Sequence, residues 1–174
     1  EDGFTVSSQQ TNELPGPFVH NPDTGSWISE GSDPECIGPY DSSITSPEIS
    51  IPSLGDKTGI FINIEHRYSF EPDPGSAWDI GQILVSINDK DFKVLNAAYF
   101  ITKGYSGKPV AGSGIGAGQI GFSDESEGFN AGEFITDTVW VNVKEGDRIK
   151  IKLSALYDQC ASGNKPNWEI DKLT

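Results

Sequence analysis

The sequence predicts an all-β protein, folded as a two-sheet antiparallel β-sandwich, and three observations support this fold class. Residues 58–70 alternate between apolar and mostly polar positions with a period of two, which is the side-chain period of a strand. The chain contains 20 Gly and 11 Pro but no Met, a composition that suits many strands joined by tight loops. No stretch shows the apolar period of an amphipathic helix.

Residues 58–87 hold the two most regular apolar runs and are predicted to form the centre of the fold. In the first run, one face carries Ile60, Ile62, Ile64, His66, Tyr68 and Phe70. The second run, residues 80–87, is short and apolar. We expect the two runs to pair as antiparallel neighbours, joined by the loop 71–79, whose Pro72, Pro74 and Gly75 continue neither strand.

Shorter strands are predicted on either side of this centre. Before it we expect strands at 1–7, 26–30 and 43–51, the last with Pro47 inside, which indicates an edge strand or a bulge. After it we expect a hairpin turn at 88–91 with a returning strand at 92–95, and then strands at 135–143, 148–155 and 167–173. Residues 96–133 are rich in glycine but lack the spacing of a phosphate loop, so we expect a mobile, permissive loop there.

Length and charge restrict the classes of function. A chain of 174 residues is most simply one domain, residues 1–174, and folding at this size buries about 70% of the unfolded surface. The net charge of −14 argues against nucleic-acid binding and against docking on an anionic membrane, and the acidity serves either solubility or a cation such as Ca²⁺. No apolar stretch approaches the about 20 residues of a membrane span, so no membrane insertion is expected. The chain opens on Glu-Asp-Gly rather than on a signal peptide, so we expect a secreted form to be a mature protein or an excised domain.

Cys36 and Cys160 are the two cysteines, and both stand in loop-like sequence. Their spacing is too wide, and their partners too few, for a zinc motif. A disulfide between them would close a very long loop and stabilise the domain by about 4–5 kcal/mol in the chain-entropy model. We predict this bridge, with two unrelated thiols as the alternative.

Four segments occur in an order that resembles a known family: Tyr40-Asp-Ser-Ser-Ile-Thr-Ser-Pro-Glu-Ile-Ser-Ile51, Ile64-Glu-His-Arg-Tyr-Ser-Phe-Glu71 leading to Trp78-Asp79, Ile83-Leu-Val-Ser-Ile-Asn88 and Asn167-Trp-Glu-Ile-Asp171. They are similar to the jelly-roll β-sandwich modules, related to MAM domains, that accompany secreted bacterial peptidases and other surface proteins. The chain departs from that pattern at the hairpin 88–91, which Phe92 follows instead of Trp, and at Asn167 and Glu169. The resemblance implies jelly-roll topology and an extracellular or cell-surface location, with an appended enzyme or an assembly partner.

The resemblance also implies a calcium site. In the resembling modules, acidic residues of the first strand and of the terminal Ile-Asp motif share a cation, and the matching positions here are Asp2 and Asp171, with Asp41 a looser candidate. Glu71 and Asp79 match acidic positions that flank the central loop. Ca²⁺ takes about six to eight oxygen ligands, which loops and strand ends supply. The alternative is that Asp171 caps a turn and Asp2 is solvated.

Aromatic side chains mark the predicted ligand site. Trp78 stands on the loop 71–79 between Glu71 and Asp79, and an apolar plate beside hydrogen-bond acceptors suits a glycan. Trp140 points away from a row of valines and is the second candidate, although either ring could instead pack under a neighbouring loop. Trp168 is predicted to be core, because Ile170 shares its face.

Catalytic motifs are missing from the sequence. Neither Gly-x-Ser-x-Gly nor His-Glu-x-x-His occurs, and His66 falls on an apolar face, which favours a satisfied, half-buried histidine over a general base. We therefore expect a non-catalytic extracellular module for recognition or attachment, whose partner is a glycan or a surface protein. The alternative is a structural subunit or adhesin domain of an extracellular assembly.

Overall fold

The structure is a computed structural model that describes residues 3–9, 18–31, 39–112, 115–158 and 163–174. These residues form eleven strands: β1 (Thr5–Gln9), β2 (Val19–His20), β3 (Trp27–Ser29), β4 (Tyr40–Thr45), β5 (Ile49–Ser50), β6 (Gly59–Tyr68), β7 (Ile80–Ile87), β8 (Lys93–Val94), β9 (Ile135–Asn142), β10 (Arg148–Tyr157) and β11 (Trp168–Leu173). Single 3₁₀ turns occur at Ala97–Tyr99 and Phe129–Ala131. In the described ranges, the chain has no helix with the length and apolar character that crossing a bilayer requires.

The strands form two antiparallel sheets, so the predicted all-β, two-sheet architecture is confirmed. The first sheet has the order β1-β4-β10-β7-β8, and β5 pairs with the beginning of β10. The second sheet has the order β2-β3-β11-β6-β9. The predicted strands at both ends of the chain, and the hairpin that joins β7 to β8 through Asn88 and Asp89, are present.

The predicted pairing of the two central runs is wrong. β6 pairs with β11 and β9 in the second sheet, whereas β7 pairs with β10 and β8 in the first. The loop 71–79 therefore crosses from one sheet to the other instead of closing a hairpin. Alternation within a strand identifies its buried face but carries no information about its partner, which is why the sequence supported the wrong pair.

The hydrophobic core fills the space between the two sheets. The first sheet contributes Ile83, Ile151 and Leu153, and the second contributes Ile62, Ile64 and Val139, all nearly inaccessible to solvent. At the centre Trp168 is 0% exposed and packs against the rings of Phe18, Phe70 and Phe122. The prediction that Trp168 belongs to the core is confirmed.

The glycine-rich stretch 96–133 is largely irregular in its described residues, as predicted, and parts of it are anchored to the edge and the outer side of β7. Its mobility stays a prediction. Phe122 bridges to Gly81, and Val110 bridges to Ala77 just before the strand begins. Val110 and Ala77 belong to a second, smaller hydrophobic cluster. A Cβ at Gly121 would overlap the carbonyl oxygen of Gly81, so glycine is required for this close approach.

Pro47 interrupts pairing where the sequence indicated, and it divides the predicted strand into an internal part, β4, and a part with a single strand partner among the described residues, β5. β4 ends at Thr45 and β5 begins at Ile49, and both pair with β10. Ser46 bridges the gap, because its hydroxyl accepts a hydrogen bond from the Ile151 N–H at 2.9 Å. β1 pairs with β4 only as far as Thr45, so Pro47 lies beyond this pairing, where its missing N–H donor breaks no ladder hydrogen bond to β1.

Candidate functional site

A cleft opens at the side of the molecule where the edge strand β8 of the first sheet lies near the edge strand β9 of the second. Its volume is about 350 Å³, within the usual size range of small-molecule sites. Its walls are mainly apolar, and they include Val85 and Ile87 from β7, Val94 and Leu95 from the β8 region, Tyr99 from the first 3₁₀ turn, and Trp140 and Val141 from β9. We call this concavity the edge cleft.

Trp140 is held in the edge cleft by two features of β6. Its register partner is Phe61, and their rings meet edge to face at a centroid distance of 5.3 Å. A Cβ at the neighbouring Gly59 would overlap the indole, so the ring lies directly over the backbone of that glycine. The prediction that Trp140 points away from the valine row is confirmed, since Val139 and Val141 are buried and Trp140 is only half-buried.

Apolar surface is concentrated around the edge cleft. Tyr99 is 53% exposed and Val94 is also exposed in the lining of the cleft. Phe61 does not line the cleft, but it packs against Trp140 and is 51% exposed. Large apolar groups in water usually mark a contact surface when they gather in one place. The rim carries polar groups of both signs and two amides, namely Lys90, Asp91, Lys93, Asn96 and Asn142. The arrangement therefore offers aromatic faces surrounded by hydrogen-bond donors and acceptors.

A second concentration of chemical groups lies at the other end of β7. Carboxylate oxygens of Glu71, Asp79 and Asp158 all lie within 4.8 Å of one another. The register of the first sheet explains this proximity, because Ile80 of β7 lies opposite Leu156 of β10, and the chain beyond each strand end continues to an acid. We call these three residues the acidic triad.

Asp79 is the buried member of the acidic triad, with 1% exposure, whereas Glu71 and Asp158 are half-buried. Its Oδ1 accepts a hydrogen bond from the Asp158 N–H at 3.0 Å, and its Oδ2 has no hydrogen-bond partner among the described residues. Burial raises the pKa of Asp79 to about 7, and the negative charges of Asp158 and Glu71 act in the same direction. The backbone hydrogen bond from Asp158 and the charge of Lys165 oppose that rise only in part.

The loop 71–79 is a structured turn. The Asp73 carboxylate accepts hydrogen bonds from the N–H groups of Gly75 and Ser76, and these bonds lower its pKa, as does a hydrogen bond from Trp78. Lys108, which belongs to the stretch 96–133, donates a hydrogen bond to the Asp73 carbonyl and so links that stretch to the loop. Trp78 is half-buried, so its ring is neither fully exposed at the surface nor part of the hydrophobic core.

The four predicted ligand-binding residues do not form one site. Glu71, Asp79 and Trp78 lie on or beside the loop that follows Tyr68, whereas Trp140 lies opposite Phe61 near the start of β6. Seven residues separate Phe61 from Tyr68 along the strand, which corresponds to about 23 Å at about 3.3 Å per residue. Asp79 is also too buried to serve as a surface acceptor.

The predicted metal ligands are not gathered together in the described residues. Asp41 lies on β4 of the first sheet, and Asp171 is exposed on β11 of the second, where it lines a different cleft with His20 and Trp27. Asp2 lies outside the described residues. Cys36 and Cys160 also lie outside them, so the disulfide remains a prediction.

His66 belongs to a buried hydrogen-bond network. Trp168 Nε1–H donates to its Nδ1 at 3.0 Å, and its Nε2–H therefore faces Asp137 Oδ2 at 3.1 Å. Burial lowers the pKa of His66, although Asp137 opposes this. Burial disfavours the ionised form of Asp137, but hydrogen bonds from His66, Thr102 and the Gly104 N–H outweigh that effect and lower its pKa. A neutral, inaccessible imidazole beside a carboxylate is thus a packing element. The sequence predicted a satisfied histidine, but His66 is fully buried rather than half-buried.

Asp158, Tyr99 and Gly59 were missed at the level of sequence. Asp158 follows an alternating strand, but its neighbours depend on the register between β10 and β7, which local sequence does not specify. Tyr99 lies in the glycine-rich stretch that has no readable period. Phe61 is a large apolar residue on the otherwise polar outer face of β6. Its presence in the sequence could have indicated an apolar surface there.

Comparison with family models, with characterised proteins and with solved structures gives no match for this chain.

Proposed function

We propose that this protein is a non-catalytic extracellular recognition or attachment module that binds a glycan through the edge cleft. The observation that carries the proposal is the pair of accessible aromatic rings, Trp140 and Tyr99, that line a cavity of about 350 Å³ with a polar rim. The MAM-related resemblance and jelly-roll topology are part of the proposal, as is a structural Ca²⁺ ion.

The chemistry of the edge cleft suits a sugar better than a purely apolar ligand. Aromatic faces pack against the C–H surface of a sugar ring, while amides and carboxylates bind its hydroxyl groups. Asn96, Asn142 and Asp91 provide such polar groups at the rim. The net charge of −14 opposes the approach of polyanionic chains, so a neutral glycan is favoured over a sulfated or uronic one.

The state of the buried histidine supports a non-catalytic role. Both ring nitrogens of His66 are engaged, by Trp168 and by Asp137, and the side chain is 0% exposed. A general base must reach the proton of a bound substrate, and His66 has no such access. The acidic composition and the resemblance to modules of secreted proteins support the extracellular location.

A glycan array tests this function. The wild-type protein is expected to bind neutral glycans, and both Trp140→Ala and Tyr99→Ala are expected to lose most of that signal. Val19→Ala provides a matched control, because Val19 is an exposed apolar residue on β2, outside the edge cleft. Trp78→Ala distinguishes the two aromatic sites. If Trp78→Ala abolishes binding and Trp140→Ala does not, the glycan binds at the loop 71–79 and the proposal of a site in the edge cleft is rejected.

A specific observation favours the structural-subunit or adhesin alternative. β1 lies at the edge of the first sheet, pairs with β4 on one side, and has no strand partner on its other side within the described residues. An open edge accepts a strand from another chain. This alternative predicts dimers or longer assemblies, and it predicts that Val6→Pro disrupts them. Light scattering after size-exclusion chromatography measures the size of the assemblies. A monomer at all concentrations rejects it.

A further inference from the structure

We propose that the acidic triad, Glu71, Asp79 and Asp158, is a Ca²⁺ site that joins the end of β10 to the loop entering β7. The site differs from the Asp2, Asp41 and Asp171 set that the resemblance implied, although Glu71 and Asp79 match other acidic positions of the resembling modules. The inference also stands apart from glycan recognition, because its measurable consequence is ion binding and thermal stability.

The spacing of the triad matches the size of a bound calcium ion. Calcium lies about 2.3–2.6 Å from each oxygen ligand, so two ligands of one ion are at most about 5 Å apart. The three carboxylate oxygens fall within 4.8 Å of one another, so all three can reach one ion without rearrangement of the strands. Glu71 and Asp158 are half-buried, which leaves access for water ligands to complete the coordination.

The second observation is the unsatisfied oxygen of Asp79. The Asp79 side chain is only 1% exposed. Of its two carboxylate oxygens, Oδ1 accepts the hydrogen bond from the Asp158 N–H. Oδ2 has no partner among the described residues, whereas buried polar atoms in folded proteins almost always have one. A cation bound at the triad would supply the missing partner and would also reduce the repulsion among the three carboxylates.

Lys165 is the alternative source of positive charge, and its geometry limits what it can supply. Its ammonium group donates to the Gly31 carbonyl at 3.2 Å and to Asn167 Oδ1 at 2.9 Å. Two of the three N–H donors of this ammonium group are thus directed at Gly31 and Asn167. A lysine side chain also carries a single positive charge, whereas Ca²⁺ carries two. A divalent ion at the acidic triad would therefore supply positive charge that Lys165 does not provide.

The position of the site defines its role. Asp79 directly precedes β7 and Asp158 directly follows β10, and these two strands are neighbours in the first sheet. Glu71 begins the loop that carries the chain across from the second sheet. An ion held by all three residues would pin the crossover between the sheets to the first sheet, in the way that a cross-link does.

The experiment is a thermal melt with about 10 mM CaCl₂ compared with a chelator, combined with calorimetric titration of CaCl₂ into the calcium-free protein. For an extracellular-type dissociation constant of about 0.1–1 mM, calcium at this concentration raises the melting temperature by roughly 3–10 °C. Calorimetry is expected to give one Ca²⁺ per chain. MgCl₂ is expected to give a smaller shift, since Mg²⁺ demands near-ideal octahedral geometry.

Three variants locate the ion. Glu71→Gln and Asp158→Asn each remove a half-buried carboxylate from the triad. Asp158→Asn keeps the backbone N–H that donates to Asp79. Both substitutions are expected to weaken calcium binding by about tenfold or more. Asp171→Asn is the control, because it removes an exposed carboxylate outside the triad, and it is expected to retain the full shift. Superimposable melts in calcium and chelator for the wild type overturn the proposal. Loss of the shift in Asp171→Asn, with retention in both triad variants, also overturns it.

Discussion

Replacement of Trp168 by phenylalanine tests whether the network at the centre of the core is structural. Trp168 is 0% exposed, and its Nε1–H is the donor to His66 Nδ1 at 3.0 Å. Phenylalanine keeps an aromatic ring in contact with Phe18 and Phe70 but removes that donor. The substitution therefore leaves a buried acceptor without a partner, in a place that water does not reach.

The expected cost follows from this loss. A buried polar atom deprived of its partner costs about 1–3 kcal/mol of folding stability. For a domain of this size each kcal/mol lowers the melting temperature by about 2–4 °C, so Trp168→Phe is expected to melt roughly 2–12 °C below the wild type. Trp168→Ala also loses the packing of the whole ring and is expected to cost about 3–5 kcal/mol or more.

Urea unfolding and thermal melts at neutral pH measure these differences, with Trp78→Phe as the matched control. Trp78 is half-buried on the loop 71–79, and its hydrogen bond to Asp73 is at the surface, where water replaces it. The control is expected to stay within about 0.5 kcal/mol of the wild type. If Trp168→Phe is as stable as Trp78→Phe, the Trp168–His66 hydrogen bond does not support the core and the reasoning fails.

Three further predictions concern other parts of the chain. Burial lowers the pKa of His66 below the value of about 6.5 that it has in the unfolded chain. The unfolded chain therefore binds more protons at this residue, so the free energy of unfolding is expected to decrease as the pH falls through about 6.5. Nitrogen NMR is expected to find the neutral Nε2–H tautomer at pH 7, and a titration midpoint at or above 6.5 would contradict this. Thiol labelling of the denatured, unreduced protein is expected to find no free thiol, and labelling of both Cys36 and Cys160 would reject the bridge. Gly59→Ala is expected to displace the Trp140 ring and change its fluorescence, and an unchanged spectrum would show that the glycine is not required.

The faces of the strands could be predicted from the sequence because alternation records burial directly. Ile62, Ile64 and His66 were assigned to the core face of β6 and are buried there. Trp168 and Ile170 were likewise assigned to one face of β11, and both are buried. These assignments need only the period of a strand and the preference of apolar side chains for the interior.

Strand partners could not be predicted, because pairing is decided by contacts that are distant in sequence. β6 finds its partners in β11 and β9, both of which lie far along the chain, and the loop 71–79 was compatible with either a hairpin or a crossover. The contacts of the stretch 96–133 with β7 were not predicted, for a related reason. Its glycines permit a close approach to β7, as at Gly121 against Gly81, and that approach has no local periodic signal.

The candidate sites were partly accessible to sequence reasoning. Glu71 and Asp79 were singled out because they match acidic positions of the resembling modules and flank Trp78, and the structure does bring the two carboxylates together. Asp158 joins them only through the register of β7 and β10, which sets Ile80 opposite Leu156. Trp140 was identified as outward-facing, but the cleft beside it depends on how the edges of two sheets approach each other, which no single strand encodes.

The most direct test of the proposed function uses the four tryptophan indole N–H signals in a nitrogen–proton correlation spectrum. The protein is titrated with the soluble neutral oligosaccharide that gives the strongest array signal. We predict that the Trp140 signal shifts in a saturable manner, while the signals of Trp27, Trp78 and Trp168 stay in place, because only Trp140 lines the edge cleft. Saturable movement of Trp78 with a stationary Trp140, or no movement of any indole signal, would contradict glycan recognition at the edge cleft.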